Sequence, residues 1–150
     1  MDMQEERILR SEDDTIEFAK ELAPKLKKGD VLALYGELGA GKTFFTQQLC
    51  KFLGVKENVS SPSYVLMNEY LGNYIIRHLD LYRLDSAEEI LELGLHDLYE
   101  DTITIIEWPE IAEGMLPENT IHIYFDFIDS NRKVTIKKVK SEISNGKRNI

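Results

Sequence analysis

Between residues 31 and 54 the chain spells out a strand, a glycine loop and a helix in succession. Val31-Leu32-Ala33-Leu34-Tyr35 is a short unbroken apolar run, the pattern of a strand buried on both faces of a parallel sheet. Gly36-Glu37-Leu38-Gly39-Ala40-Gly41-Lys42-Thr43 follows at once and is a complete G-x-x-x-x-G-K-T phosphate-binding loop. Residues 43–53 hold neither Gly nor Pro and carry Phe45, Leu49, Phe52 and Leu53 at helical spacing. Gly54 then supplies a helix stop. A buried parallel strand needs parallel neighbours and helical crossovers, so this unit points to an α/β chain.

The chemistry of the loop follows from its backbone. Glycines let the chain curl with its N–H groups inward, and the new helix adds the positive end of its dipole. Lys42 has the reach for β- and γ-phosphates, and the Thr43 hydroxyl is a ligand for Mg²⁺.

With 150 residues, 43% of them hydrophobic, the expectation is one α/β domain spanning 1–150. No apolar run is long enough to cross a membrane, and Met1-Asp2-Met3-Gln4-Glu5-Glu6 is acidic where a signal peptide is basic. A soluble cytoplasmic protein is expected. The single cysteine, Cys50, excludes an internal disulfide and reads as a small buried hydrophobe. Net charge is −9, which argues against direct non-specific nucleic-acid binding. The charge is uneven. From Asn131 onward seven basic residues (Arg132, Lys133, Lys137, Lys138, Lys140, Lys147, Arg148) face one acid, Glu142, so that stretch carries +6 and the rest −15. Such a stretch reads as a solvated edge strand whose lysines block edge pairing, or else as a dock for a nucleic acid or an acidic protein face.

Around the phosphate loop, Arg7-Ile8-Leu9 reads as a short edge strand. Ser11 with Asp14 marks a helix start leading through residues 15–27, with Pro24 kinking or ending it. Two β-rich runs, 64–70 and 74–79, flank Gly72-Asn73 as a hairpin. Ser86-Ala87-Glu88-Glu89 opens a short helix punctuated by Gly94. Thr102-Ile103-Thr104-Ile105-Ile106 is a second buried central strand, and runs 121–125 and 133–137 close the chain around a turn at Asp129-Ser130-Asn131.

A phosphate loop needs a carboxylate near its Mg²⁺, at the C-terminal end of a neighbouring strand. Glu107, directly after the second buried strand, fits that place. Asp80 is the second acid. Alternation puts His78, Asp80 and Tyr82 on one strand face, where they position water, hold Mg²⁺ through water or read a partner; Asp80 reads equally as a structural salt bridge or cap. His78 and His122 read as hydrogen-bonded structural histidines, and no Cys/His spacing suggests zinc. Neither D-x-x-G nor N-K-x-D occurs, so guanine specificity is unsupported. The stretch after Leu84 is acidic (Asp85, Glu88, Glu89, Glu92) where a small-molecule kinase carries an arginine lid, leaving Arg83 as a lone candidate for stabilising transition-state charge. A metabolite kinase and a nucleotide-sensing module without chemistry stay open as alternatives.

With these motifs in hand, the chain resembles the TsaE family, small P-loop ATPases of bacterial tRNA threonylcarbamoyladenosine (t6A) synthesis. The resemblance rests on 35–43, on Val59-Ser60-Ser61-Pro62-Ser63-Tyr64, on His78-Leu79-Asp80-Leu81-Tyr82-Arg83, on Glu89 with Gly94-Leu95, and on Ile106-Glu107-Trp108-Pro109, in that order. It implies a P-loop NTPase-like α/β fold: a mostly parallel central sheet flanked by helices, with antiparallel strands added. It also implies an ATPase nearly inactive alone and switched on by TsaB and TsaD, with tRNA met indirectly through that complex. By similarity, Lys42 and the amides of Glu37, Leu38, Gly39, Ala40 and Gly41 hold phosphates, and Thr43 and Glu107 organise Mg²⁺. Asp80 aligns the attacking water, and Ser11 and Arg132 contact adenine. Ser61, Pro62, Ser63 and Tyr64 form a switch segment sensing the γ-phosphate; His78, Tyr82 and Arg83 belong to the same switch and partner group. Trp108 lies by the nucleotide or the partner surface, although a lone tryptophan also reads as packing. Ser63 stands where the family pattern has Thr, and the hydroxyl is retained.

Overall fold

The computed structural model describes residues 2–60, 67–84, 86, 88–90, 94 and 99–139. In chain order these form β1 (Asp2–Leu9), α1 (Glu12–Leu22), β2 (Val31–Tyr35), α2 (Lys42–Phe52), β3 (Met67–Leu71), β4 (Ile75–Asp80), β5 (Thr102–Glu107), β6 (Ile121–Ile128) and β7 (Asn131–Val139), with 3₁₀ turns at Ala23–Lys25 and Pro109–Met115. The strands make one sheet in the order β1-β7-β6-β2-β5-β4-β3. β2 runs parallel to both β5 and β6, and β4 runs parallel to β5. The antiparallel pairs β6–β7, β7–β1 and β3–β4 lie outside these four. The parallel centre of the sheet, with antiparallel strands added on both sides, is therefore as expected.

Alternate residues of the central strands feed two separate cores. Leu32 and Leu34 of β2, Ile103 and Ile105 of β5 and Ile123 and Phe125 of β6 join Phe18, Ala19, Phe45 and Leu49 of the two helices. On the opposite face Val31, Leu79 and Ile106 pack with Leu81, Ile90, Tyr99 and Ala112. Each fully buried Leu or Ile removes enough apolar surface to contribute roughly 1.5–3 kcal/mol before conformational entropy is subtracted. Phe18 stacks on Phe45 at 5.1 Å, which fixes α1 against α2. Cys50 is buried in α2, and burial pushes its thiol up to about 12.

Several boundaries depart from the sequence expectation. α1 is capped at Ser11 as expected, Ser11 Oγ accepting from Asp14 N at 3.3 Å, but it ends at Leu22 and not at residue 27, because the chain around Pro24 tightens into the 3₁₀ turn Ala23–Lys25. The first strand extends to Asp2–Leu9 and is the sheet edge. That corrects the reading of the basic stretch, because β7 lies between β1 and β6 and is no edge strand. Its lysines meet the acidic N-terminal strand; Lys133 Nζ sits 3.6 Å from Glu6 Oε2. Lys140, Lys147, Arg148 and Glu142 lie outside the described residues. The hairpin turn is docked on the end of α2, with Asn73 N donating to Leu53 O at 2.7 Å. α2 itself ends as expected at Gly54 (φ 90°), in a Schellman arrangement with Gly54 N bonded to Lys51 O and Val55 N to Cys50 O.

Candidate nucleotide site

β2 leaves the sheet at Tyr35, and the chain turns through residues 36–41 before α2 begins at Lys42. Gly36 has φ 149°, and a Cβ there would meet Phe125 O at 2.8 Å, so the loop hugs β6 at a distance only glycine allows. Gly41 caps α2 in the left-handed region at φ 104°. Lys42, the first helical residue, is only 4% exposed, and its Nζ donates to Gly36 O at 2.6 Å across the mouth of the loop. Glu37, Leu38 and Gly39 are exposed at the loop tip.

The two acids arrive from adjacent parallel strands. In register, Glu107 at the end of β5 stands opposite Leu34 of β2 on one side and Asp80 at the end of β4 on the other. All three lie at the carboxyl ends of the strands, the edge at which open α/β sheets bind ligands. Glu107 is 3% exposed, and its Oε2 accepts from His78 Nε2 at 2.6 Å. Asp80 Oδ1 accepts from Tyr82 N at 2.9 Å. Burial pushes the Lys42 ammonium below the usual lysine range, and the carboxylates of Glu107, Glu110 and Asp80 partly oppose that. Glu110, two residues past Trp108, had no motif to mark it beyond the acid itself.

Trp108 follows Glu107 in a left-handed conformation, φ 56° and ψ 55°. This places its ring against the lysine, with Lys42 Nζ 3.7 Å from the ring centroid. Tyr82 also packs on the Trp108 ring, centroids 4.8 Å apart and planes tilted by 50°, and is largely exposed. The single-face reading of His78, Asp80 and Tyr82 needs correction: β4 ends at Asp80, and Tyr82 belongs to the turn that follows. His78 is wholly buried and presents no surface to a partner. His122 is hydrogen-bonded as expected, sharing a 2.8 Å bond with Tyr35 Oη.

Beside the glycine loop a cavity of about 320 Å³ is lined by Ser11, Thr15, Gly39, Gly41, Phe44 and Arg132, among others. Arg132 donates to Gly39 O at 3.3 Å and lies over the Phe127 ring at 4.4 Å. The structure thus brings Ser11 and Arg132, 121 positions apart (132 − 11), onto one wall system next to the loop. Thr15, Phe44 and Phe127 were not singled out from sequence, where they look like helix and strand residues of no special pattern. Arg83 lies exposed in the turn after β4. Ser61, Pro62, Ser63 and Tyr64 lie outside the described residues. The chain leading to them is tied down: Gln47 Nε2 donates to Val59 O at 2.9 Å, and Ser60 exchanges bonds with Tyr70 Oη at 3.2 and 3.3 Å.

A parallel sheet, a glycine loop opening a helix and acids at the neighbouring strand ends define a P-loop nucleotide-binding protein. Within that class, the family model for threonylcarbamoyl adenosine biosynthesis protein TsaE matches residues 9–134, and the chain belongs to the TsaE family. Its place is in t6A biosynthesis of tRNA. The chain is 41% identical over 129 residues to the tRNA threonylcarbamoyladenosine biosynthesis protein TsaE of Rickettsia felis, covering 85% of this chain and 75% of that one. It is 34% identical over 130 residues to the TsaE of Bacillus subtilis, covering 85% and 81%. The crystal structure of Bacillus subtilis YdiB superimposes with a TM-score of 0.76 at 30% identity, over 93% of this chain and 88% of that one. Among the described residues no helix is long and apolar enough to cross a membrane.

Proposed function

We propose that this chain binds Mg²⁺-ATP and hydrolyses it as the ATPase subunit of the cytoplasmic t6A machinery, weakly alone and faster with TsaB–TsaD. The observation that carries the reading is the convergence of Lys42, Glu107 and Asp80 at one edge of the sheet, beside the glycine loop. The donor set suits Mg²⁺: only hard oxygen groups, the Glu107 carboxylate and the Thr43 hydroxyl, leaving room for phosphate oxygens and water. Bound there, Mg²⁺ would offset charge on the β- and γ-phosphates.

The rest falls to the chain itself. Lys42 gives up its bond to Gly36 O and turns its ammonium to the phosphate oxygens, where a desolvated cation acts more strongly than in water. The amides of residues 37–41 bind phosphate, and the cavity bearing Ser11 and Arg132 takes the nucleoside. Trp108 covers Lys42 and keeps bulk water from it. Asp80 orients the attacking water, and Arg83 faces the charge that develops. Partner dependence has a local rationale: the Asp80 carboxylate is held by Tyr82 N, and Tyr82 is 57% exposed. A partner that moves the turn after β4 re-aims Asp80.

The test is ATP hydrolysis by the chain alone and with TsaB–TsaD, with Glu107→Ala and Asp80→Ala as controls. Stimulation by the pair that both substitutions abolish supports the proposal. Fast hydrolysis without partners would sink its activation half. Binding without hydrolysis under either condition would favour a sensor, or a kinase if phosphate moves onto an added small molecule.

A further inference from the structure

We propose that His78 is a positioning residue, whose Nε2–H fixes the Glu107 carboxylate so that one oxygen is tied to the protein and the other is left for the cation; this rests on the Mg²⁺-ATP reading above. The bond is short, 2.6 Å, and both side chains are buried, His78 at 0% and Glu107 at 3% exposure. Removed from water, a charge-assisted hydrogen bond of this kind is strong and directional. Without it, the last torsion of Glu107, a broad and roughly two-fold one, would lack the hydrogen bond that selects one setting of the carboxylate. Because Oε2 accepts the imidazole hydrogen, Oε1 is the oxygen available to Mg²⁺.

The placement of His78 also sets it apart from a packing residue. His78 and Asp80 alternate on β4, so one strand delivers both the group that aims Glu107 and the acid at its side. With the hydrogen on Nε2, Nδ1 is a bare lone pair, and it has no hydrogen-bond partner among the described residues. A leucine would fill similar space without an orphaned buried nitrogen, which is ordinarily costly. An imidazole is useful here only for what Nε2 does. Outer groups that orient a metal ligand in this way typically carry about 10- to 100-fold in metal affinity or activity.

Three variants test it: His78→Leu, His78→Asn and His78→Gln. Only Gln can carry an amide N–H to about the position of Nε2; Asn is one methylene short. ATP affinity is read by calorimetry or by fluorescence of Trp108, the sole tryptophan, first in EDTA and then across an Mg²⁺ series. In EDTA all variants should bind ATP within about twofold of wild type, since the loop and Lys42 are intact. For Leu and Asn the Mg²⁺ needed for half-maximal effect should rise about tenfold, with kcat falling by about as much and KM little changed. Gln should recover most of both. If Leu fails to fold, the Asn–Gln pair poses the same question with two polar residues. Wild-type Mg²⁺ dependence in Leu or Asn, or equal impairment in Gln and Asn, overturns the role of His78. ATP binding by the wild type that ignores Mg²⁺ would instead remove the metal reading of Glu107 and take this role with it.

Discussion

Every residue of β5 from Thr102 to Glu107 is buried, whereas β3, two places away, buries only Tyr70 and exposes Met67, Glu69 and Leu71. β5 lies between parallel neighbours with a core on each face, and β3 is an antiparallel edge with one face in solvent. The same division separates chemistry from scaffolding. Glu107, Asp80 and the loop after β2 all hang from the carboxyl ends of the parallel strands, while β1 and β7 hold each other by backbone pairing and a few buried apolar residues, with their charges out in solvent. The centre can place a buried ion because rigid neighbours fix it on both sides. The margin can only offer charges already shared with water.

The largest effect should come from the buried cation. Lys42→Met keeps the length of the side chain and removes its charge. Hydrolysis should fall about 100-fold or more, the usual loss when one preorganised stabilising group is removed. Stability should hold or rise, because burial already disfavours the charged amine. Thermal melting alongside turnover checks both, and a large drop in melting temperature would mean that the lysine is structural. Next comes Gly36→Ala. Its Cβ meets the backbone of Phe125 at 2.8 Å, and φ is 149°, so the loop must shift away from β6. We expect about 2 kcal/mol of lost stability, roughly 4–8 °C in melting temperature. ATP affinity should fall about tenfold as well, or about 1.4 kcal/mol, because the displaced loop no longer presents its amides in place. Retained ATP affinity would show that the tight approach to β6 is not what shapes the loop.

Much of the centre was legible because its signals are local. The apolar run 31–35, the glycines of 36–41 and the Gly54 stop each act within a few residues of themselves. An acid at the end of an apolar strand is legible for the same reason, and Glu107 lies where that signal put it. What could not be read depends on partners far along the chain. His78 reads as a hydrogen-bonded structural histidine and is one, but that its partner is the buried Glu107 is decided only by the neighbouring β5. Trp108 carries no mark of a left-handed residue; Pro109 after it favours extended backbone, so the local signal points away from the φ of 56° that it adopts. The basic stretch was misread as an edge since the strand that covers it is at the opposite end of the chain, and charge alternation alone does not say what pairs with what.

His122 sits on the seam between the two regions, on β6, which is parallel to β2 and antiparallel to β7. Burial lowers its pKa from the ordinary 6.5; Glu113 opposes the shift and Lys137 adds to it. The unfolded chain therefore takes up this proton first as pH falls. Stability is lost as pH drops from about 6.5 toward the folded value, and levels off below it. His122→Asn, whose amide can meet the Tyr35 hydroxyl in either role, should flatten that part of the profile and leave pH 8 little changed. Melting curves from pH 8 to 5 decide it. An unchanged acid limb would assign the loss to other groups.

The smallest effect belongs to the margin, and it tests the comparison most directly. Lys133 Nζ and Glu6 Oε2 are 3.6 Å apart, with side chains 29% and 53% exposed. A pair so open to water should be worth about 0.2–0.5 kcal/mol in a double-mutant cycle of Glu6→Gln and Lys133→Gln. At 1 M salt, where the screening length shrinks to about 3 Å, the coupling should vanish. ATP binding should be indifferent to both substitutions, since neither residue lines the cavity beside the loop. A coupling above about 1 kcal/mol that survived salt would mean that the margin, too, can fix a charge against solvent. The distinction between a chemical centre and a charge-matched rim would then fail at the strand where it was expected to be clearest.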